Sequence, residues 1–156
     1  MIRLYEPKKE DLWFREQFMG DKETMSYNRV WGGTIPFPAD KWDSWFDDWI
    51  SKNEGKRFYR YLFHEETGLF LGEVAYHYDA EYEAYLANIV VTADNRGKGY
   101  GETGLLLLCE QARLNGITEL YDNIALDNPS INLFLKCGFV EEYRTDEFIM
   151  MKKKLY

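Results

Sequence analysis

A loop rich in glycine and charge, residues 94–104 with the sequence DNRGKGYGETG, stands directly before the apolar run LLLLCE. Its glycines permit positive φ angles and close approach of a ligand to the backbone. The run that follows predicts a helix, so backbone N–H groups of the loop should point outward at a helix N-terminus, a favourable place for a phosphate group. Arg96 and Lys98 add positive charge beside such an anion. The loop therefore predicts a binding site for a phosphorylated ligand.

Two nucleotide-binding motifs compete for this loop. A P-loop requires G-x-x-x-x-G-K-[ST], but Thr92 stands where its first glycine belongs and Gly99 follows Lys98, so the pattern fails. The dinucleotide fingerprint G-x-G-x-x-G does match, from Gly99 to Gly104. In dinucleotide-binding units the glycines follow the first strand of the domain almost at once, and too little chain follows Gly104 here to complete a doubly wound sheet. NAD binding is the minor alternative.

The elements that must position the loop can be read from hydrophobic periodicity. Residues 57–64, 69–78 and 79–92 follow a β-rich pattern of period two and are separated by charged and glycine-containing turns, which predicts three antiparallel strands. After the loop, residues 102–115 carry one apolar stripe at helical spacing, and Gly116 ends the predicted helix. The loop is thus expected to join the last strand of the meander to a helix.

The two ends of the chain complete the predicted sheet. The opening IRLYEP reads as a strand, and a helix is expected after Pro7. The C-terminal part predicts a strand over 119–126, a short helix over 131–137 and a final hairpin over 138–155. We therefore expect an α/β (α+β) fold, with a mixed, mostly antiparallel sheet and helices on both faces.

A helix and an aromatic loop precede the meander. The segment ADKWDSWFDDWISK places its large apolar residues at helical spacing, with Asp40 as the expected cap. Before it lies MSYNRVWGGTIPFP, whose glycines and prolines forbid a regular element. Its aromatic residues Tyr27, Trp31 and Phe37 make this segment either a loop that lines a pocket or a well-packed surface loop, and both interpretations stay open.

Composition limits the size and the partners of the protein. At 156 residues, 46% of them apolar, the chain can form one substantial core, and we expect a single domain over 1–156. The net charge of −8 disfavours nucleic acid, whose phosphates would be repelled, and weakly favours a cationic partner. No stretch approaches the ~20 apolar residues of a membrane helix, and the first residues lack a signal-like run, so we expect a cytoplasmic protein without membrane contact.

Cysteine and histidine offer little chemistry in this sequence. Cys109 and Cys137 lack C-x-x-C spacing and a nearby histidine, which predicts reduced structural thiols. His64 and His77 are too few for a metal site without neighbouring ligands, and no G-x-S-x-G motif marks a nucleophile. We expect neither a bound metal nor a covalent intermediate.

The segment RGKGYG, from Arg96 to Gly101, resembles the [R/Q]-x-x-G-x-[G/A] acyl-CoA-binding motif of the GNAT superfamily of N-acetyltransferases. The start IRLYEPKKEDL is similar to the family's first strand and helix, and DNPSINLFLKCGF resembles its N-x-x-[A/S]-x-x-[L/F]-[Y/F]-x-x-x-G-F region. Motif, following helix, Asn128 and Gly138 occur in the family's order, so the resemblance covers nearly the whole chain. It implies the GNAT fold and acetyl-CoA as acyl donor.

The resemblance also implies residue roles. Backbone amides from Gly97 to Glu102 would hold the CoA pyrophosphate, and amides at a bulge near Ile89–Val91 would pair with the pantetheine arm and polarise the thioester carbonyl. Asn128 matches the family's asparagine near the pantetheine, although it could instead cap the following helix. The expected cofactor-binding residues are Ile89, Val90, Val91, Arg96, Gly97, Lys98, Gly99, Tyr100, Gly101, Glu102, Asn128 and Phe134.

Two positions depart from the family's pattern. The acid that often stands eleven residues before the motif's arginine is Tyr85 here. The nearest acid on the expected strand face is Glu83, which is either the base that deprotonates the amine or an exposed strand residue, and Glu81 and Glu73 are further candidates. The tyrosine that often protonates the departing thiolate is replaced by Phe134, but release of a thiolate with a pKa near ~8.5 is tolerable at neutral pH.

The implied reaction is direct attack of a neutral primary amine on acetyl-CoA within a ternary complex. The acidic composition and the aromatic residues Tyr27, Trp31 and Phe37 suit a cationic small molecule, such as a polyamine or an aminosugar, with Tyr27 and Trp31 as substrate-binding residues. A protein N-terminus as acceptor, and a non-catalytic acyl-CoA-binding protein of the same fold, remain alternatives. The oligomeric state stays open, with a homodimer as one option.

Acetyl-CoA, but not NAD, is expected to raise the melting temperature. A ligand that binds only the native state stabilises it by mass action, by about 2.7 kcal/mol at a hundredfold excess over Kd. Differential scanning fluorimetry with each ligand at the same concentration measures the shift. Stabilisation by NAD alone would restore the dinucleotide interpretation.

Overall fold

The computed structural model describes residues 1–156, apart from the side chains of residues 29–31. Its strands are β1 (Ile2–Tyr5), β2 (Arg57–His64), β3 (Leu69–Asp79), β4 (Ala84–Val91), β5 (Glu119–Ala125), β6 (Val140–Arg144) and β7 (Phe148–Lys154). In the described chain they form one seven-stranded sheet in the order β1-β2-β3-β4-β5-β7-β6. Only the pair β4 and β5 is parallel among the described neighbours. The expected mixed, mostly antiparallel sheet is confirmed.

Helices cover both faces of the sheet, as predicted. They are α1 (Leu12–Met19), α2 (Trp42–Phe46), α3 (Tyr100–Leu114) and α4 (Ser130–Lys136). The predicted stripe of α3 is buried against β2, β3 and β4, and α4 packs in the same core, which also holds the free thiols of Cys109 and Cys137. On the opposite face, α1 and α2 cover Tyr59 and Tyr61. No helix in the described chain is long and apolar enough to cross a membrane.

The α2 region is less regular than its periodicity predicted. It opens with a 3₁₀ turn over Ala39–Lys41, so Asp40 lies inside that turn and does not cap the helix. A π-helical turn over Asp47–Ser51 continues α2. The wider turn accompanies stacking of Trp45 on Trp49, with ring centroids 6.1 Å apart. Packing of these large rings thus overrides the expected α-helical spacing.

The pairing of β3 with β4 is continuous over the whole length of β4. Gly72 lies opposite Val91, Glu73 opposite Val90, and the register holds to the end of the hairpin. The bulge expected near Ile89–Val91 is therefore not seen in this pairing. The regular pairing has a physical reason at Gly72, where an added Cβ would come within 2.0 Å of the Val90 carbonyl oxygen. The missing side chain lets the two strands approach without an extra residue.

On its other side, β4 pairs with β5 at only one register position. Leu86 pairs with Tyr121 of β5, and in the described chain the two parallel strands separate beyond that point. The other edge of β5 pairs with β7 along its whole length, from Glu119 to Ala125. The C-terminal end of β4 therefore presents backbone groups to an opening in the sheet, where a ligand can pair with them.

Gly72→Ala is expected to lower the free energy of unfolding by about 2 kcal/mol, because its Cβ would overlap a backbone oxygen that cannot move without opening the sheet. Gly20→Ala is the control, since a Cβ there would meet the Glu16 carbonyl oxygen at an ordinary 3.5 Å. Urea unfolding of both variants measures the difference. Equal stability of the two variants would show that strand spacing does not depend on Gly72.

Candidate active site

The glycine-rich loop becomes the N-terminus of α3. Gly97 and Gly99 have φ angles of 77° and 83°, the left-handed region that favours glycine, and Gly99 is the N-cap residue of the helix. Gly104 faces the sheet, where a Cβ would lie 2.9 Å from the Leu62 side chain. Gly97 and Gly99 thus allow the sharp turn that leads into α3, and Gly104 allows α3 to pack closely against the sheet. The N–H groups of the first turn, which lack intrahelical partners, are left for a ligand.

A cavity of about 640 Å³ lies at this helix end. Its walls include the following expected residues: Ile89, Val91, Arg96, Gly97, Gly99, Tyr100, Gly101, Glu102 and Asn128. The first residues of α4 and Leu133 form the side facing away from β4. The volume lies within the range of ~300–1,000 Å³ that is usual for small-molecule and cofactor sites. We call it the cofactor cavity.

Three expected cofactor-binding residues lie elsewhere. Lys98 is exposed and does not line the cofactor cavity, and the side chain of Val90 packs in the core beneath α1. Phe134 is 1% exposed and packs edge-on against Phe139, with ring centroids 4.8 Å apart. The assignment of Phe134 to the cofactor site is corrected, because its helix turns the ring into the core.

Arg96 lines the cofactor cavity, but its hydrogen bonds all go to the protein backbone. Its guanidinium donates hydrogen bonds to the carbonyl oxygens of Val91 at 3.1 Å, Glu23 at 3.3 Å and Thr24 at 2.6 Å. It also lies over the ring of Tyr27, at 5.2 Å from the centroid. Since these contacts use donors on all three guanidinium nitrogens, the arginine mainly joins the end of β4 to the segment before Tyr27.

Asn128 stabilises the turn that leads into α4, whose N-cap residue is Pro129. Its Oδ1 accepts a hydrogen bond from the backbone N–H of Ser130 at 2.9 Å, at the start of α4. The residue also lines the cofactor cavity and a second cavity beside it. One end of the amide is thus fixed by the helix, while its NH₂ end can donate to a ligand.

The second cavity, of about 300 Å³, lies between the sheet and the helices α1 and α2, and we call it the acceptor cavity. Tyr27 and Asn128 belong to the walls of both cavities, so the two meet at these residues. Its other walls contain a set of charged and aromatic side chains that the sequence had mostly not singled out: Arg15, Trp45, Trp49, Tyr59, Glu73, His77 and Asp122. The expected role of Tyr27 at the substrate site remains a proposal that this position supports.

Two carboxyl groups, those of Glu73 and Asp122, line the acceptor cavity. Glu73, only 2% exposed, accepts a hydrogen bond from Asn88 at 3.2 Å, and its Oε2 lies 3.8 Å from Arg15 Nε. Burial raises the pKa of Glu73, and the Arg15 charge opposes that rise. Burial also raises the pKa of Asp122, to about 8, opposed by a backbone hydrogen bond from Asn123. Burial thus favours the protonated form of both groups, and the raised pKa of Asp122 suits proton exchange near neutral pH.

The structure does not place Glu83 or Tyr85 at either cavity. Glu83 is exposed in the β3–β4 turn with a φ angle of 51°, and Glu81 is exposed in the same turn. Asp79 Oδ1 accepts the backbone N–H of Glu81, which closes that turn before β4 begins. From Glu83 to the open end of β4 the extended chain covers on the order of 20 Å. Tyr85 packs against Tyr76 and Tyr78 instead.

Aromatic rings of the loop before α2 are already covered by the protein's own cations. Arg15 lies over Phe37 at 4.5 Å from the centroid, and Arg96 lies over Tyr27. Phe37 is buried and lines neither cavity. The side chain of Trp31, an expected substrate-binding residue, lies outside the described residues. The idea that Tyr27 and Phe37 offer open faces to a cationic acceptor is therefore corrected.

Gly99→Val is expected to weaken acetyl-CoA binding at least tenfold, because a β-branched residue is strained at this positive φ angle and adds bulk where the backbone meets the pyrophosphate. The same strain should lower the stability of the free protein by about 1–3 kcal/mol, and the loop is exposed, so the protein should still fold. Lys98→Ala is the control and should cost on the order of 1 kcal/mol, less at high salt. Isothermal titration with acetyl-CoA measures both. Normal affinity in Gly99→Val would contradict the phosphate site at the start of α3.

Comparisons with solved structures show the same fold in N-acetyltransferases. Spermidine N-acetyltransferase from Vibrio cholerae, in complex with CoA and spermine, aligns with a TM-score of 0.81 at 18% identity, over 99% of this chain and 95% of that one. An N-acetyltransferase from Staphylococcus aureus Mu50 gives 0.74 at 23%, over 100% and 98%. PaiA N-acetyltransferase from Thermoplasma acidophilum, in complex with coenzyme A, gives 0.67 at 17%, over 99% of both chains.

Sequence comparison identifies the family. No curated protein matches the chain significantly in sequence. The family model of the acetyltransferase (GNAT) domain, however, matches residues 1–140, which include the first strand, the meander, the glycine-rich loop and α4. The chain therefore belongs to the GNAT acetyltransferase family, and acetyl-CoA is its co-substrate.

Proposed function

We propose that the protein transfers the acetyl group of acetyl-CoA to the primary amine of a small molecule held in the acceptor cavity. The observation that carries this proposal is the meeting of the two cavities at Tyr27 and Asn128. One cavity lies at the helix terminus that suits a pyrophosphate, and the other contains two carboxyl groups that suit an ammonium group. A thioester and an amine bound in these cavities would approach each other at the open end of β4.

The reaction follows from this arrangement as a direct attack within a ternary complex. The amine enters as its ammonium form, is oriented by Glu73, and loses a proton to the carboxylate of Asp122. The neutral nitrogen forms the new N–C bond, and backbone N–H groups at the end of β4 stabilise the oxyanion. The C–S bond then breaks, and the second proton lost by the nitrogen is available to the thiolate.

Tyr27 replaces part of the function that Phe134 cannot provide. Its hydroxyl is buried, has no hydrogen-bond partner among the described residues, and lies where the cavities meet. Burial raises the pKa of this phenol, so it acts as a hydrogen-bond donor to the departing sulfur and keeps its own proton. Together with a thiol pKa near ~8.5, one such hydrogen bond is enough for thiolate release.

The size of the acceptor cavity favours a small molecule over a protein N-terminus. The cavity has a volume of about 300 Å³, and Trp45 and Trp49 line it on the helix side. Spermidine N-acetyltransferase from Vibrio cholerae, which shares the fold, is named for a small amine and was solved with spermine. A single domain, a cytoplasmic location and the assembly state, with a homodimer as one option, stay predictions.

Asp122→Asn is expected to lower kcat by roughly 10² or more while leaving acetyl-CoA affinity nearly unchanged. Because its pKa is raised to about 8, Asp122 is mostly protonated at pH 7, so the wild-type rate should rise as the pH increases through 8. The variant should lose that inflection. A pH–rate profile of thiol release measures both effects.

Glu83→Gln is the matched control, and it should leave kcat and KM unchanged because Glu83 lies in the distant turn. A loss of rate in Glu83→Gln, with an unaltered Asp122→Asn, would move the base back to the strand face expected from the sequence. Absence of turnover with every amine tested, together with tight acetyl-CoA binding, would favour the non-catalytic acyl-CoA-binding alternative.

A further inference from the structure

Arg15 brings a fixed positive charge into a cavity that is proposed to receive an ammonium group. Its side chain extends from α1, is 14% exposed and lines the acceptor cavity. The guanidinium lies in the corner between two aromatic rings inclined at 70° to each other, 4.5 Å from the centroid of Phe37 and 4.6 Å from that of Trp45. These cation–π contacts help to position the group without using its N–H donors. A cation so placed is suited to bind an oxyanion.

Hydrogen-bonding groups around Arg15 are unsatisfied within the described part of the protein. Arg15 Nε, Glu73 Oε2 and the hydroxyls of Tyr27 and Tyr59 are buried without a well-formed hydrogen bond, although Tyr59 and Glu73 lie close enough to influence each other's pKa. All four side chains line the acceptor cavity, and those of Tyr59 and Glu73 belong to residues only 2% exposed. Three of these groups can donate and one can only accept in its ionised form. A ligand that satisfies them needs oxygen acceptors as well as an ammonium group.

The same cavity is unfavourable for a second ammonium group. Three of its aromatic rings already carry a guanidinium group on one face: Arg15 lies over Trp45, Arg57 lies over Trp49 at 5.1 Å, and Arg96 lies over Tyr27. A polyamine carries donors only, so it would satisfy Glu73 but would leave Arg15 without an acceptor. It would also bring like charges together at short range.

We propose that the acceptor is a zwitterionic amine of the amino-acid type, whose carboxylate is bound by Arg15 while its ammonium group faces Glu73. This inference rests on the proposed function and specifies the substrate class of the same site. Arg15 Nε and Glu73 Oε2 lie 3.8 Å apart, an ion pair without a hydrogen bond. The neighbouring charges of Arg15 and Glu73 are complementary to the carboxylate and the ammonium group that an α-amino acid carries on one carbon.

The position of Glu73 directs the amine of such a molecule to the thioester. Glu73 lies directly across the β3–β4 pair from Val90, at the open end of β4. An ammonium group beside this carboxylate is therefore close to the backbone that is proposed to hold the acyl group. The side chain of the amino acid would then lie against Trp45, Trp49 and Tyr59, which favours apolar or aromatic side chains over charged ones.

Matched pairs of amino acids and their decarboxylated amines test the proposal with acetyl-CoA as donor. Suitable pairs are phenylalanine and phenethylamine, tyrosine and tyramine, leucine and isopentylamine, and ornithine and putrescine. In at least one pair the wild-type protein should favour the amino acid in kcat/KM, on the order of 10- to 100-fold, the effect expected of charge-assisted hydrogen bonds. Rates are followed by release of the CoA thiol.

Arg15→Met should remove this preference. It should lower kcat/KM for the amino acid 10- to 100-fold more than that for the decarboxylated amine, because only the amino acid contacts the guanidinium. Arg15→Lys keeps the charge and should retain part of the preference. Unchanged acetyl-CoA affinity and a cooperative thermal transition in both variants serve as controls for folding.

Three results would contradict the proposal, and they are distinguishable. Wild-type preference for the decarboxylated amine in every pair would overturn the zwitterionic acceptor while leaving N-acetyltransfer intact. Equal losses for both members of a pair in Arg15→Met would show that the arginine only supports the cavity wall. Absence of turnover with every amine would contradict the proposed function, and the inference would fail with it.

Discussion

The separation of β4 from β5 determines where the two cavities can meet. One parallel pair, Leu86 with Tyr121, holds the two strands together, while the opposite edge of β5 pairs with β7 along its whole length. The gap breaks the sheet at its middle and leaves backbone groups of β4 available to a ligand. It also joins the two faces, because the cofactor cavity on the α3 side meets the acceptor cavity on the α1 side at Tyr27 and Asn128. Catalysis by direct transfer requires such a passage.

Charge in the acceptor cavity is balanced locally although the chain as a whole is acidic. The net charge of −8 suggests attraction of a cation, yet the walls of the cavity place Arg15 beside Glu73 and leave Asp122 with a raised pKa. Three arginines also lie over aromatic rings of the cavity wall. Each occupies one ring face that could otherwise bind an ammonium group. The global charge is therefore a poor guide to this site, where a few desolvated groups determine the electrostatics.

Local patterns predicted the sheet, α3 and the glycine-rich loop, because these depend on periodicity and on the backbone freedom of glycine. The position of Glu83 was mispredicted for a physical reason: residues 79–83 were treated as strand, whereas the Asp79 side chain closes a turn there and Glu83 takes a left-handed backbone. Arg15 and Asp122 were not singled out, since they line one cavity only once α1 and β5 are packed around it. An acid inside the apolar strand ELYDNIAL was the one available signal for Asp122.

A crystal structure of the protein with acetyl-CoA and a slowly reacting acceptor would show directly where donor and acceptor meet. The pyrophosphate is expected to contact backbone N–H groups of residues 97–102, the pantetheine arm to enter between β4 and β5, and the thioester to end beside Tyr27 and Asn128. The acceptor amine should then lie between Glu73 and Asp122. A pantetheine arm bound outside the strand opening, or a thioester remote from these carboxyl groups, would contradict this arrangement.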